Sequence, residues 1–334
     1  MRIELLDPVT ATESELRAWY DCRLAAARTD FPADPDLPYP LVVGQLHPDG
    51  TERRHTWVAR TDAGNLLGGV RLALPDDENR HACDAVPTVR PRSRRRGVGR
   101  ALLEHAVSAA RADGRRSMSG GAPIDSAGAR FGAAMGAVEK MRETRSLLRL
   151  ADVSWADLTA FAAASAAPDT VGYRLRRWRD RCPDELGAAY ARALSAMNDA
   201  PVGDLDHHPV SYTVERLRQF EGSRSVRGQQ LYVVCAQVAA TGEIAGLTEL
   251  FVPHSGPRAE QGATAVQPEH RGHGLGLWMK TTMLRWLLSE RSQVQEVTEI
   301  ETWNASENTF MRRVNARLGY VALDEWANLE RSLS

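Results

Sequence analysis

The sequence predicts two consecutive α/β domains, each built on a mixed β-sheet flanked by helices. The chain has 334 residues, which suits two domains of ordinary size better than one. A glycine-rich motif occurs twice, and a similar order of strand and helix patterns surrounds each copy. Because neighbouring strands mix with helices in both copies, we expect an α+β, mixed-sheet arrangement in each domain.

The repeated motif has the form V-x-P-x-x-R-x-x-G-x-G. The first copy runs from Val89 to Gly99, and the second runs from Val266 to Gly276, 177 positions later. Five fixed positions that recur at one offset indicate a duplication.

Strand and helix patterns alternate around the first motif. We predict strands at 2–6, 55–60 and 66–74, helices at 13–28 and 100–112, and a proline-rich loop at 31–40. The stretch from Ser119 to Pro123, where a further strand is due, contains two glycines and a proline, and this composition is unfavourable for a strand.

The second half repeats this order after a connecting segment. Trp155, Leu158 and Phe161 have helical spacing, and Ala166 to Thr170 has the composition of a linker. Beyond it we predict strands at 173–178, 231–237 and 244–252 and helices at 184–198, 213–221 and 277–291. The predicted domains are therefore 1–150 and 171–334, joined by a connecting helix and linker at 151–170.

Composition excludes several classes of function. The formal net charge of −1 gives no overall attraction to nucleic acid or to an anionic membrane. No apolar run approaches the ~20 residues that a membrane span needs, and the first residues lack the pattern of a signal peptide. The cysteines have no metal-ligand spacing and are typical of reduced thiols, so we predict a cytoplasmic protein without a metal site.

Each motif lies where a strand ends and a helix begins, and this place favours a phosphate group. The glycines lack a Cβ atom, so backbone N–H groups at the helix N-terminus can approach an anion closely. A P-loop is excluded because no Lys-Ser/Thr follows the last glycine, and the spacing of the dinucleotide fingerprint is absent. The alternative is a glycine-rich helix start that binds nothing.

These residues resemble the GNAT acyltransferase superfamily, specifically tandem GNAT proteins of actinobacterial type. In that superfamily R/Q-x-x-G-x-G/A, between the fourth strand and the third helix, binds the pyrophosphate of acyl-CoA. The resemblance implies twisted mixed sheets whose fourth and fifth strands splay apart around the pantetheine arm, with acetyl-CoA or another acyl-CoA as co-substrate. The cofactor-binding residues that it implies are Val266, Arg271, Gly272, His273, Gly274, Leu275, Gly276, Asn304 and Asn308 in the second copy, and Arg94, Gly97 and Gly99 in the first.

The second copy matches the family further along the chain. Residues 300–320 resemble its fifth strand and fourth helix, and by that resemblance Asn308 binds the pantetheine arm. Helix capping is the alternative role for Asn304 and Ser306. In many relatives a tyrosine on this helix donates a proton to the departing CoA thiolate, but here that position is Asn315, which cannot act as an acid.

The first copy departs more from the family. Gly132 stands at its tyrosine position and Asp125 at its asparagine position. We therefore expect a degenerate first domain with a structural role, and whether it holds CoA stays open.

Acyl transfer also needs an oxyanion donor and a base. By the resemblance, the backbone N–H of Val266 or Gln267 polarises the thioester carbonyl. Glu249, a carboxylate in an otherwise apolar strand, is the candidate base, with an outward-facing strand residue as the alternative. Weaker candidates lie in the acidic loop that is expected to attract a cationic amine: Asp199, Asp204, Asp206, His207 and His208.

The sequence thus predicts an N-acetyltransferase whose second domain acetylates an amine of a small molecule, for example a natural product or an antibiotic. Neither nucleic acid nor membrane is an expected partner. Two alternatives stay open at this point, a catalytically decayed CoA-binding regulatory protein and an enzyme that acylates protein lysines.

Overall fold

The computed structural model describes residues 1–165, 172–290 and 296–334. We call the described residues up to 165 the first half and those from 172 onward the second half. The segment predicted as the linker, Ala166 to Thr170, lies outside the described residues.

The first half alternates strands and helices in the predicted order. Its strands are β1 (Arg2–Leu5), β2 (Glu52–Arg60), β3 (Leu66–Pro75), β4 (Ala82–Val89), β5 (Ser117–Pro123) and β6 (Val138–Arg149). Its helices are α1 (Glu13–Asp30), α2 (Tyr39–Gly44), α3 (Val98–Ala112), α4 (Ala127–Ala134) and α5 (Trp155–Ser165). A capping box of Thr12 and Glu15 begins α1. The short helix α2, which overlaps the end of the predicted proline-rich loop, was not predicted. Pro40 lies in its first turn, where the missing N–H costs nothing because it would have no partner within the helix.

The second half has a similar order. Its strands are β7 (Tyr173–Arg179), β8 (Gln229–Val238), β9 (Ile244–Pro253), β10 (Arg258–Val266), β11 (Glu299–Ala305) and β12 (Val321–Ser332). Its helices are α6 (Asp184–Leu194), α7 (Val214–Val226), α8 (Leu275–Ser289) and α9 (Thr309–Arg317). Among the described residues, every helix is too short or too polar to cross a lipid bilayer.

The two halves share one continuous mixed sheet. Its strand order is β1-β2-β3-β4-β5-β12-β6-β11-β10-β9-β8-β7. The last strand of the second half, β12, lies between β5 and β6, and the last strand of the first half, β6, lies between β12 and β11. The predicted mixed α/β architecture with two repeats is confirmed, but the two predicted sheets are joined into one, because each half places its last strand beside the other half's fifth strand.

The strand due near residues 119–123 does form, although their composition is unfavourable for a strand. β5 pairs with β12 over its whole length, from Ser117 opposite Ser332 to Pro123 opposite Trp326. Pairing with a distant segment of the chain outweighs the poor strand preference of the glycines. The sequence of the first half alone could not show this partner.

Helices cover both faces of the sheet. In the first half, α3 packs on one face and α1 and α2 pack on the other. In the second half, α8 shares a core with one face, which α5 of the first half joins, and α6 and α7 cover the opposite face. The C-terminal ends of β4 and β10 therefore lie between helices on both faces of the sheet.

A buried arginine ties the exchanged strands together. Arg145 of β6 is only 5% exposed, and its guanidinium bonds Asp34 at 2.7 Å, Asp324 at 2.6 Å and Glu301 at 3.2 Å. Arg258 joins the same cluster through Asp34, Glu299 and Glu301. The cluster connects the loop after α1 with β6, β10, β11 and β12.

We expect Arg145→Ala to lower the free energy of unfolding by about 3–5 kcal/mol, because it leaves three partly buried carboxylates without their shared counter-charge. Urea denaturation measures this loss. The matched control is Arg142→Ala on the same strand. Arg142 is exposed and pairs with Glu139, so this change should cost about 1 kcal/mol or less. Equal losses in the two variants would contradict the role given to the buried cluster.

Candidate active site

Strands β10 and β11 run parallel and then separate. Their ladder joins Arg258 to Glu299, Ala259 to Ile300 and Glu260 to Glu301, and both strands continue beyond it. The backbone edges that face each other beyond this point have no ladder partner. The predicted splayed central strands are thus present in the second half.

A β-bulge shapes β10 at the start of the gap. The register against β9 shifts between Gln261 and Thr264, which leaves one extra residue on β10. A Cβ atom on Gly262 would lie 2.7 Å from the ring of Phe251, so the bulge needs glycine there. Gln261 Nε2 donates to Thr248 Oγ1 at 3.1 Å, and the hydroxyls of Thr248 and Thr264 lie 2.8 Å apart. These bonds hold the bulge, and a bulge increases the local twist that turns β10 away from its neighbour.

The backbone N–H of Val266 points into the gap. Gln267 N–H donates to Ala245 O at 2.8 Å, so Gln267 faces β9, while Val266 lies opposite Gly246. Successive N–H groups of a strand point to opposite sides. Of the two predicted oxyanion donors, Val266 has the required direction and Gln267 is already bonded.

The motif forms an open turn at the start of α8. Gly272 and Gly274 have φ of +86° and +72°, and a Cβ atom on Gly272, Gly274 or Gly276 would meet nothing within 4 Å. Gly274 is the N-cap and supplies no side-chain bond, so the first N–H groups of α8 keep their capacity for a ligand. Leu275 is buried in the core and can offer only its backbone. This geometry suits the predicted phosphate cradle.

The motif arginines hold the turns in shape. Arg271 Nε donates to Val266 O at 3.0 Å, and its Nη2 lies 2.5 Å from Asp199. Arg94 repeats the arrangement in the first half, with Val89 O at 3.1 Å and both Asp30 oxygens at 2.7 Å. Each guanidinium therefore already has partners within the protein. A further contact of Arg94 or Arg271 with a phosphate stays a prediction. His273, also predicted at the cofactor, has its Nδ1 near two backbone carbonyls of the turn.

Asn308 begins α9 as its cap. Its Oδ1 accepts the N–H of Met311 at 3.1 Å, so Asn308 takes the capping role considered for Asn304 and Ser306. Ser306 instead donates to Glu325 Oε2 at 2.5 Å. Because Asn308 Oδ1 is occupied, the predicted contact with a pantetheine arm would use the hydrogens on Asn308 Nδ2.

A buried lysine fixes the two other asparagines. Lys280 of α8 is 2% exposed, and its Nζ donates to Asn315 Oδ1 at 2.9 Å. Asn315 Nδ2 then donates to Asn304 Oδ1 at 2.7 Å. An ammonium only donates, so the lysine sets the direction of both amides and leaves the Asn304 N–H groups as donors at the splayed end of β11.

Lys280 was missed by the sequence analysis, although a lone charge in the apolar run L-G-L-W-M-K-T-T-M-L was a usable signal. Burial lowers its pKa from 10.5 to about 7. Lys280 Nζ also lies over the ring of Tyr320, 5.5 Å from the ring centroid, in a cation–π arrangement. The group at the missing-acid position, Asn315, is thus bonded to a cation that titrates near neutral pH.

Glu249 is buried, so the alternative of an outward-facing strand residue is wrong. It is 4% exposed on the face of β9 that packs against α6, and Tyr190 donates to its Oε1 at 2.5 Å. Burial raises the pKa of Glu249, while hydrogen bonds from Tyr190 and from the N–H of Ala263 in the bulge oppose the rise. A carboxylate with a raised pKa beside the bulge fits a general base.

The acidic loop docks on the first half. His208 exchanges two bonds with Asn79, at 2.6 and 3.0 Å, and Asp204 N–H donates to Lys140 O at 2.9 Å. Asp206 lies 3.3 Å from the His81 ring. Burial lowers the pKa of His207. These contacts give the loop a structural role, and its predicted attraction for an amine stays untested.

The first half has the same splayed strands and glycine-rich turn, but its strand β4 has no bulge. β4 and β5 pair only from Ala82 to Asp84 and then splay, and Gly97 is an open N-cap with φ of +82°. The register of β4 against β3 is continuous, and Pro87 within it has no N–H. The Cβ position of Gly99 lies 3.5 Å from the Phe131 ring, so this cradle is narrower than the second.

Comparisons with known proteins agree with this geometry. The sequence profile of the acetyltransferase (GNAT) family matches residues 16–121 and 197–320. A solved structure described as a tandem GNAT protein from the clavulanic acid biosynthesis pathway, without AcCoA, is 29% identical; the match covers 100% of this chain and 98% of that one, with a TM-score of 0.80.

A GCN5-related N-acetyltransferase from Sphaerobacter thermophilus shares the fold at 16% identity, with coverage of 99% and 95% and a TM-score of 0.67. No curated protein matched the sequence. The two profile matches, one in each half, show that the chain belongs to the acetyltransferase (GNAT) family as a tandem, GNAT-type N-acetyltransferase.

Proposed function

We propose that the second half transfers the acetyl group of acetyl-CoA to an amine of a small molecule by direct attack. The observation that carries the proposal is the bulged, splayed end of β10, where the Val266 N–H points into the gap and Glu249 lies buried beside the bulge. The first half lacks the bulge, because the register of β4 against β3 is continuous. Members of the family use acyl-CoA as co-substrate, and the open turn at Gly274 is the place for its pyrophosphate.

In the proposed reaction Glu249 accepts a proton from the amine, whose nitrogen attacks the thioester carbonyl. The Val266 N–H donates to the carbonyl oxygen as it gains charge. The tetrahedral adduct collapses, the C–S bond breaks, and CoA leaves as a thiolate, while the amide forms. The proton on Glu249 passes to solvent.

Asn304 is a positioning partner of the co-substrate in this proposal. The chain from Lys280 through Asn315 occupies Asn304 Oδ1 and leaves the Asn304 N–H groups as donors at the splayed end of β11, where they can donate to an amide carbonyl of the pantetheine arm. A fixed donor loses little freedom on binding, so it adds affinity.

The reaction itself is tested by thiol release from acetyl-CoA across a panel of small amines. Turnover with at least one amine supports the proposal. Binding of acetyl-CoA without thiol release on any small amine or on a lysine peptide would contradict it and favour a decayed, CoA-binding protein.

We expect Glu249→Gln to lower kcat/KM about 100- to 10,000-fold, because no base remains to take the proton of the amine. Wild-type kcat/KM should rise with pH, because only ionised Glu249 accepts a proton. Since the pKa of Glu249 is raised, the midpoint of this rise, the acid limb of the pH profile, should lie above pH 4.5. Tyr190→Phe should move that limb to higher pH, because the lost hydrogen bond stabilises the carboxylate.

The control for this series is Glu215→Gln, an exposed glutamate of α7, which should leave the rate and the limb unchanged. A pH limb that stays in place in Tyr190→Phe, or survives in Glu249→Gln, would exclude Glu249 as the base.

Lys280→Met should weaken acetyl-CoA binding about tenfold with little change in kcat, because Asn304 loses its fixed direction. It should also remove a pH dependence of stability. The unfolded chain keeps the Lys280 proton up to about 10.5, whereas the folded protein loses it at about 7. Wild-type stability should therefore rise relative to the variant by about 1.4 kcal/mol per pH unit between pH 7 and 9.

Denaturation at each pH and steady-state kinetics measure the two effects. Lys140→Met removes the chain's other lysine and should show neither. A wild-type stability that runs parallel to that of Lys280→Met across this pH range would show that the lysine is charged throughout.

Gly274→Glu should weaken acetyl-CoA binding at least tenfold, because its side chain and negative charge enter the open cradle. Gly64→Glu is the matched control, since Gly64 also has positive φ and open space around its Cβ position but lies in the turn between β2 and β3. Both changes should cost a similar ~1–3 kcal/mol of stability through backbone strain. Calorimetric titration that gives equal affinities in the two variants would place the cofactor elsewhere.

A further inference from the structure

The first half carries an arginine where the second half carries its candidate base. Gly68 pairs with Val89 and Gly246 pairs with Val266, so the same register runs from the motif into the neighbouring strand. Three residues further along that strand stand Arg71 and Glu249. Equivalent positions of the two halves therefore carry side chains of opposite charge.

Arg71 faces α1 and α2. Gly69, two residues earlier, contacts Trp19 of α1, whereas Val70 and Leu72 belong to the core on the α3 face. Arg23 of α1 approaches the same space from above the sheet, where its Nη1 donates to Thr88 Oγ1 at 3.0 Å. Both arginines are half-buried.

Neither guanidinium has a carboxylate partner among the residues that the structure describes. Arg71 Nη1 donates to Gln45 Oε1 at 2.9 Å, and its Nε is buried without an acceptor. Arg23 bonds only the hydroxyl of Thr88. In contrast, the neighbouring Arg54 is paired with Glu52.

Besides Arg23, three charged side chains act on Arg71: Asp84, and Arg54 and Arg227, whose charges Glu52 and Asp49 offset. Asp84 of β4 lies at the last residue paired with β5, directly before the strands splay, and makes no ion pair with Arg23 or Arg71. Burial raises the pKa of its carboxyl, an effect that Arg71 opposes. With Asp84 ionised, the side chains of Arg23, Arg71 and Asp84 carry a net charge of +1.

The arrangement is unfavourable without a ligand. Burial lowers the pKa of Arg71 well below its usual range, and the nearby Arg23 and Arg54 lower it further. Burial also lowers the pKa of Arg23. Two desolvated cations that repel each other destabilise the fold, and an anion placed between them would relieve both effects.

The ligand chemistry follows from the charge and the shape of the donors. A guanidinium offers a planar fork that matches the two oxygens of a carboxylate. A net charge of +1 balances one carboxylate, whereas a phosphate dianion would meet the repulsion of Asp84. A single carboxylate thus fits better than a phosphate.

We propose that Arg23 and Arg71 form a binding site in the first half for the carboxylate group of a small molecule, on the α1–α2 face beside the splayed ends of β4 and β5. This site does not depend on the acetyl transfer proposed for the second half. A small carboxylic acid or the free carboxylate of a larger metabolite supplies the same group.

The test uses the full chain with acetate and succinate as probes, added at constant ionic strength against sodium chloride. Thermal unfolding of the wild type should shift upward with a saturable dependence on either carboxylate. In Arg71→Gln and in Arg23→Gln the apparent affinity should fall about tenfold to a hundredfold, because a charge-assisted pair is lost. Asp84→Asn should strengthen binding and allow inorganic phosphate to protect as well.

The matched control is Arg28→Gln, which removes an exposed arginine of α1 that pairs with Asp36. It should keep the wild-type response. Without any carboxylate, Arg71→Gln should be as stable as the wild type or more so, since it removes an unpaired cation.

Three results would overturn the proposal. They are an absent carboxylate response in the wild type, an equal response in Arg71→Gln, and equal protection of the wild type by phosphate or chloride. If Arg71→Gln fails to fold, Arg23→Gln decides: a tenfold or larger loss of succinate and acetate affinity supports the site, and an unchanged affinity overturns it.

Discussion

The position of β6 between β12 and β11 is the constraint on which both halves depend. Arg145 holds it there, because its guanidinium bonds an aspartate from the first half, an aspartate from β12 and Glu301 of β11. Phe31 stacks on Trp326 beside this cluster, at 5.7 Å between ring centroids. Each half's last strand borders the other half's fifth strand, so each half supplies a neighbour to one of the strands that line the opposite splayed gap. The two copies of the motif therefore lie in one continuous sheet.

The same cluster fixes where the second gap begins. Glu301 is the last residue of β11 that pairs with β10, and it accepts bonds from both Arg145 and Arg258. On the N-terminal side of Glu301, Arg145 and Arg258 hold the strands together through ion pairs. Towards the C-terminal ends of the strands, the bulge turns β10 away from β11. The opening that faces Val266 and Asn304 is thus set by charge on one side and by one extra residue on the other. Because a buried ion cluster resists small displacements, it gives the gap a fixed width.

Local patterns were enough to predict the duplicated motif, a glycine-rich turn at the start of a helix and most of the helices, while the splayed strands were predicted from the family resemblance. The strand exchange was not predictable, because it depends on pairing between segments about 200 residues apart, which no periodicity encodes. The burial of Glu249 was ambiguous for the same reason: one face of β9 could have faced solvent. Lys280 was overlooked because its role appears only when Asn315 and Asn304 are brought next to it. The ion pair of Arg271 with Asp199 likewise joins elements that are distant in sequence.

Duplication explains how the two halves came to differ so much within one frame. In the second half, an extra residue in β10 and a buried carboxylate at position 249 stand beside the gap. In the first half β4 is regular, and the equivalent position holds Arg71. A reversed charge at a buried position is not a neutral change, because a desolvated arginine without a carboxylate costs stability that a polar or apolar residue would not cost. Such a residue is expected to persist only where something compensates it. The shared sheet can carry this cost, since the central cluster connects both halves, and the first half keeps the splayed strands although it lacks the bulge and has no carboxylate at the position equivalent to Glu249.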